Sequence, residues 1–448
     1  MGSAAQTVTV AVIGVIDLGE VGHGSPPVEP EPARPRFGWA LAGLAALAVL
    51  LGPATPLPVP LTEATIPARL GDTSFAVGDR FYVVTNDRAV PADTRTISAY
   101  GLPDARLLWE APLPLKGALR GVGLASGQML ISTQPELLEQ VESVSIREDT
   151  GTVSWRRRAL FEGVTPRGHV LLWTSPDGAP TAGTGTEVLE AVDPVTGVVR
   201  WSYRVPTGAW LSYRYVDDAP THVVTLLPSG LVEVRDAEDG RVLVSADLLP
   251  ARLPNEPASY VQFAGDLMLV REGGPVVSAY GLTRLELRWR SPIDLATEYI
   301  SPNCGETVCV VSHIGGVRVL DPATGRILWS DPDWSFVVRA GAYLISGARG
   351  RESEVPLVVL DPATGAQVGE LGIWSVIGPP DSAGQLIGMR SDLATARAWF
   401  ARLDPATGAA RVFGVVGDVT GDCEVWADAV LCRRLNATVG VWRPIMGA

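Results

Sequence analysis

The strongest constraint on how this chain can fold is a turn that recurs at a nearly fixed interval. Aligned on its closing residue, the turn falls at positions 105, 151, 197, 240, 285, 325, 365 and 408, with spacings of 46, 46, 43, 45, 40, 40 and 43. Three copies read LDPATG, at 320–325, 360–365 and 403–408, and related copies include REDTGTVSW from Arg147 and VDPVTGVVRW from Val192. Around each turn lie short runs of β-branched and aromatic residues, such as HVLLW, HVVTLL, VCVVS and RILWS, bounded by Gly, Pro and Asp. Such runs are strands, and none shows a helical period. A period in the low forties, with several strands in each unit, is the pattern of β-propeller blades.

Each residue of the turn has a backbone role. Asp193, Asp321, Asp361 and Asp404 stand where a carboxylate can accept from the backbone two residues on. The following proline presets φ for a type I turn, and Gly197, Gly325, Gly365 and Gly408 supply the left-handed conformation that lets the next strand pair back. A tryptophan follows the turn position by four residues at Trp109, Trp155, Trp201, Trp289 and Trp329. One large flat ring at one place in each blade is expected to pack against the neighbouring blade. No ligand is needed to explain the repeat.

These residues carry a resemblance. The pattern A-x-D-x-x-T-G-x-x-x-W resembles the tryptophan-docking repeat of the quinoprotein (PQQ-like) β-propeller superfamily. Ala191, Asp193, Thr196, Gly197 and Trp201 match it in full, and Asp321, Thr324, Gly325 and Trp329 match all but the alanine. The copies at Asp361 and Asp404 lack the tryptophan, and those near 105, 240 and 285 lack the Thr-Gly pair. The resemblance spans about residues 62–448 and implies an all-β propeller. Within the superfamily it is shared by dehydrogenases, by the outer-membrane assembly scaffold family and by single-pass proteins of high-GC bacteria, so a membrane-anchored, actinobacterial-type member is expected.

Eight turns predict eight blades, with seven or nine also open. The C-terminal stretch CEVWADAVLCRRLNATVGVWRP adds strands with no turn of this kind, and ATIPARL from Ala64 is expected to supply the strand that closes the ring. Counted literally this makes nine units, and the expectation is that one of them is not a full blade.

Ahead of the propeller, FGWALAGLAALAVLLG carries no charge. Sixteen helical residues span about 24 Å against roughly 30 Å of hydrocarbon, and the apolar PATPLPVPL that follows covers part of the shortfall. The expected organisation is therefore a cytoplasmic, mostly disordered tail over 1–36, a transmembrane signal anchor over 37–53, a Pro-rich stalk over 54–63 and a propeller over 64–448. Arg34 and Arg36 precede the apolar run and no basic residue follows it until Arg69, which places the propeller outside the cell membrane. Cleavage after Ala54, with Gly52 and Ala54 as the small residues, is the alternative.

Four cysteines fall in two local pairs, Cys304 with Cys309 and Cys423 with Cys432, at spacings unlike those of zinc sites. Two hairpin disulfides in an oxidising compartment are expected, with four free thiols as the alternative. The net charge of −13 argues against nucleic acid or an anionic surface as partner.

The search for chemistry returns little. The resemblance implies that a PQQ dehydrogenase would offer adjacent cysteines above the quinone, a tryptophan floor, and a calcium held by Glu, Asn and Asp. The chain has no adjacent cysteines, and His23, His169, His222 and His313 are scattered. Trp173, Trp210, Trp334, Trp374 and Trp399 are candidate floors but read as core. Asp217 with Asp218, and Glu238 with Asp239, are candidate acid pairs that read as solvated turns. The expectation is a non-catalytic module without cofactor or metal that binds a protein, peptide or envelope component, with a PQQ-dependent or other cofactor-bearing dehydrogenase as the alternative.

Overall fold

The computed structural model describes residues 61–85, 95–134, 141–174, 187–248, 261–271, 274–302, 304–348, 355–392, 394–426 and 429–444. All of them belong to one compact unit, Pro58–Ala448. They build nine four-stranded antiparallel sheets. Eight of these take four consecutive strands each: blade 1 over residues 73–113, blade 2 over 118–157, blade 3 over 160–204, blade 4 over 210–247, blade 5 over 261–291, blade 6 over 298–331, blade 7 over 334–372 and blade 8 over 375–417. Blade 9 joins Val419–Trp426, Ala429–Arg434 and Val439–Pro444 to Leu61–Ile66, which becomes its outer strand. That last pairing runs antiparallel from Leu61 against Pro444 to Ile66 against Val439.

The propeller therefore has nine full blades, not the eight predicted from the turns. In blades 1 to 8 the recurring turn joins the third strand to the fourth. In blade 9 those two strands come from opposite ends of the described chain, so no turn links them. Counting turns misses one blade wherever a ring is closed in this way. The closing strand starts at Leu61, three residues before the boundary expected at Ala64.

Burial explains why the strands were legible. Second strands are covered on both faces: Phe81, Tyr82, Val83 and Val84 are all buried, as are Val170 to Trp173. They read as continuous apolar runs. Fourth strands, on the outside, alternate between half-buried and exposed residues, as in Val199–Arg204.

The core consists of nine apolar clusters among the described residues, and each lies between two successive blades. Tyr82 and Ile97 of blade 1 meet Met129 and Ile146 of blade 2. Further round, Leu269 and Trp289 of blade 5 meet Ile300 and Val310 of blade 6. Phe400 of blade 8 meets Cys432 and Trp442 of blade 9, and Leu431 and Val441 of blade 9 meet Phe81 and Tyr100 of blade 1. Every blade is thus packed on both sides, and the ring is closed. Each fully buried Leu, Ile or Val contributes about 1.5–3 kcal/mol as an upper estimate, so stability resides between blades more than within them. First strands of neighbouring blades, such as Ala118–Ala125 and Leu160–Val164, contact one another and line the axis.

Residues 1–60 lie outside the described residues, including the apolar run expected to span the membrane over 37–53. Among the described residues no helix is long and apolar enough to cross a membrane.

Candidate binding site

The residues singled out by the repeat come together at the blade interfaces. In the turn of blade 6, Asp321 Oδ1 accepts the N–H of Ala323 at 2.7 Å and of Thr324 at 3.1 Å. The Gly325 N–H donates back to the Asp321 carbonyl at 2.8 Å, and Gly325 sits at φ +67°. This is the bulged closure of a type I turn, and the ladder shifts register between Val319 and Leu320 as the bulge requires. Asp193 and Asp361 hold their turns in the same way, and Asp404 accepts the Ala406 N–H at 3.0 Å. Asp193 also receives Arg200 at 2.6 Å; this bond, helped by the Thr196 amide, holds its carboxyl down at about 2.

The tryptophans dock onto these turns, each from the preceding blade. The indole Nε1 of Trp109 donates to the Glu148 carbonyl at 2.7 Å, that of Trp155 to Pro194 at 2.8 Å and that of Trp201 to Glu238 at 3.0 Å. Trp289 donates to Pro322 at 2.7 Å and Trp329 to Pro362 at 2.9 Å. The ring then lies over the turn glycine of that next blade. A Cβ added at Gly151, Gly197, Gly240, Gly325 or Gly365 would stand 2.6, 2.9, 2.8, 2.4 or 2.5 Å from a ring carbon. Two requirements fall on this position: a positive φ, which glycine meets most readily, and room for the ring above it, which glycine alone leaves. The sequence signals the first requirement in the turn itself. The second is visible only by comparing a tryptophan in one repeat with a glycine in the next.

Other candidates are dispersed among structural tasks. Trp173, Trp210, Trp334 and Trp374 belong to four different inter-blade clusters, with Trp399 beside Trp374, so they form no common floor. Asp217 and Asp218, at φ +48° and +61°, form the two-residue loop between Val216 and Ala219. Glu238 accepts from Thr165 Oγ1 at 2.8 Å and from the Arg167 N–H at 2.7 Å, with His169 Nδ1 at 3.2 Å, and so ties blade 4 to blade 3. Asp239 accepts the Arg241 N–H within the same turn. Among the described residues, no group of three His, Cys, Asp or Glu side chains is placed to hold a metal ion. Both cysteine pairs are disulfides: Cys304–Cys309 ties the loop after the first strand of blade 6 to its second strand, and Cys423–Cys432 bridges the first two strands of blade 9.

Two sites went unnoticed in the sequence. On the axial strands of blades 3 and 4, burial pushes the Glu162 carboxyl up to about 7 and, with the Glu162 charge nearby, raises the Tyr213 phenol well above its usual range. Tyr215 donates to the Glu162 carbonyl at 3.2 Å, which joins the two blades at the axis.

The second site is a cavity of about 390 Å³ at the seam between blades 9 and 1, lined by Ser74, Phe81, Asp422, Cys423, Glu424, Leu431, Arg433 and Val439. The first strand of blade 9 breaks its ladder here. Gly421 and Asp422 take φ +121° and +48°, and the register shifts between Gly421 and Glu424, which turns Asp422 and Cys423 out of the pairing. Phe81, Leu431 and Val439 are buried and form an apolar floor, whereas Asp422 is exposed at the mouth. Burial raises the Glu424 carboxyl above its ordinary value. The Arg433 guanidinium is committed to the closure, with bonds to the carbonyls of Ala437 at 2.9 Å, Asp72 at 3.0 Å and Arg69 at 3.5 Å, and to Ser74 Oγ at 3.3 Å. Nothing in the sequence singles these acids out. Only the meeting of the chain's two ends makes them a cavity wall.

Comparison with known proteins adds a partial family likeness. The family model described as outer membrane protein assembly factor BamB matches residues 228–376, which run from blade 4 to the first strand of blade 8. No curated protein matches the sequence. Among solved structures, BamB from Moraxella catarrhalis is similar at 13% identity, with 87% of this chain and 99% of that one covered and a TM-score of 0.42. The computationally designed Ika8 protein is similar at 13% identity, with 83% and 95% covered and a TM-score of 0.41. The C-terminal WD40 domain of Sif2 is similar at 10% identity, with 87% and 100% covered and a TM-score of 0.39. Scores this low carry no functional inference. The chain is a nine-bladed β-propeller, about a third of which resembles the PQQ-like repeats of the BamB family.

Proposed function

We propose that this protein is a non-catalytic binding scaffold: a propeller held outside the cell membrane by its N-terminal apolar segment, which engages a protein, peptide or envelope component. The observation that carries this reading is the match of residues 228–376 to a family described as an assembly factor. The chemistry of the side chains supports it. Glu238, which sequence alone offers with Asp239 as a candidate acid pair, is taken up in a blade-to-blade contact with Thr165 and His169, and Asp217 with Asp218 makes a hairpin loop. Two disulfides in the hairpins of blades 6 and 9 support an oxidising compartment, as does the absence of basic residues between Arg36 and Arg69.

The test is in-cell crosslinking of the full chain followed by pull-down and identification of crosslinked residues. A reproducible partner joined to propeller residues is expected. A chain that crosslinks to nothing, or that binds PQQ with calcium stoichiometrically and reduces a dye, would overturn the reading. Protease shaving of intact cells tests the topology separately, with loss of the propeller expected.

A further inference from the structure

We infer that the seam cavity between blades 9 and 1 receives a basic side chain of the partner, with its apolar stem against Phe81, Leu431 and Val439 and its cationic head between Glu424 and Asp422. The inference rests on the scaffold reading above and names the chemistry of the partner at one place.

Three observations lead to it. The first is shape: about 390 Å³ lies toward the small end of the roughly 300–1,000 Å³ typical of binding pockets, suited to one anchored side chain. The second is how the polar groups are used. Arg433, the cation of the wall, is spent on three carbonyls and a hydroxyl of the closing turn. Among the described residues Glu424 has no ion-pair partner, and burial raises its carboxyl, a cost that an incoming cation would relieve. Asp422, turned out of the ladder at φ +48°, puts a second carboxylate at the mouth. The third is the wider field, since a net charge of −13 steers basic partners toward the protein before contact. A long aliphatic stem ending in a guanidinium or ammonium matches an apolar floor with acids above it.

The position also matters. The cavity lies at the seam where blades 9 and 1 meet to close the ring, and Arg433 of blade 9 donates across it to the Asp72 carbonyl and Ser74 Oγ. A side chain seated there would contact both ends of the ring. Binding and closure would then support each other, because a ligand that binds only the folded form stabilises it.

The experiment titrates the full chain with three pentapeptides, Ac-GGRGG-NH2, Ac-GGKGG-NH2 and the norleucine analogue, by isothermal calorimetry at low and high salt. At least one basic peptide is expected to bind at least tenfold more tightly than the norleucine peptide, more weakly at high salt. Glu424→Gln should reduce that affinity at least tenfold, and Asp422→Asn, which keeps a residue tolerant of positive φ, should reduce it severalfold. Both variants should melt with the parent, so that loss of binding is not loss of fold. Equal binding of basic and norleucine peptides, no binding of either basic peptide, or an unaffected Glu424→Gln protein would each overturn the inference. The scaffold reading fails separately. A crosslinked partner mapped to other blades, together with silent peptides, removes the cavity proposal and leaves the scaffold. Peptide binding without any cellular partner does the reverse.

Discussion

Two kinds of blade interface coexist in this ring. At five of them a tryptophan reaches from one blade onto the turn of the next, and all five receiving turns close on glycine: Gly151, Gly197, Gly240, Gly325 and Gly365. At three other turns no such ring arrives. Blade 4 has Val244 in the docking position ahead of Leu285, blade 7 has Gly369 ahead of Gly408, and blade 9 presents Leu61–Ile66 to the turn of Ala105. Two of these three turns dispense with glycine: Ala105 and Leu285 take φ +54° and +55° with their side chains in place. Leu285 is buried in the cluster of blades 4 and 5, with Val244 packed against it. The left-handed turn is therefore common to both kinds, and the overlying ring is what excludes a side chain.

The comparison can be broken at several points. The largest effect is expected from Gly325→Val, which places a β-branched residue at φ +67° directly beneath Trp289. Backbone strain of about 1–2 kcal/mol and overpacking of about 1–3 kcal/mol add, so a loss of about 2–5 kcal/mol in urea unfolding, or failure to fold, should follow. Unchanged stability would contradict the turn assignment. Next, Trp289→Ala removes a buried ring and its bond to Pro322, and should cost about 3–5 kcal/mol. A loss below about 1 kcal/mol would show that the dock is ornamental.

A smaller effect is expected at an undocked turn. A Cβ at Gly408 would meet only the Glu370 carbonyl at 3.7 Å, so Gly408→Ala should cost only the left-handed strain, about 1–2 kcal/mol. A cost equal to that of Gly325→Ala would erase the distinction between the two kinds of interface. The smallest effect concerns pH. Asp193 titrates at about 2 in the fold because of Arg200 and the Thr196 amide, below its unfolded value near 4. Its stabilisation is present above about pH 4 and is lost as pH falls toward 2. The pair is largely solvated, so about 0.2–1 kcal/mol is at stake. Comparing the acid limb of unfolding for Asp193→Asn with the parent protein checks both the sign and the size.

Much of this was legible in the sequence for a physical reason. Asp321, Pro322, Thr324 and Gly325 act on their own backbone, so their roles follow from spacing alone. Doubly buried second strands such as Val170–Thr174 declare themselves by unbroken apolarity. What escaped was everything that depends on which distant segments meet. Blade 9 was undercounted because its last two strands, Val439–Pro444 and Leu61–Ile66, have no turn between them. Glu162 and Glu424 draw no notice in the sequence because nothing near them in the chain announces the burial that lifts their carboxyls.

The docking rule is tested most directly by a double-mutant cycle on Trp289 and Gly325. Gly325→Ala is made in the parent protein and again in the Trp289→Ala background, and the two losses of unfolding free energy are compared. With the ring present the alanine meets both strain and overlap; without it only strain remains. The cost should therefore fall by about 1–3 kcal/mol in the second background. An identical cost in both backgrounds would mean that the tryptophan and the glycine are independent, and that the shared rule of the five interfaces is wrong.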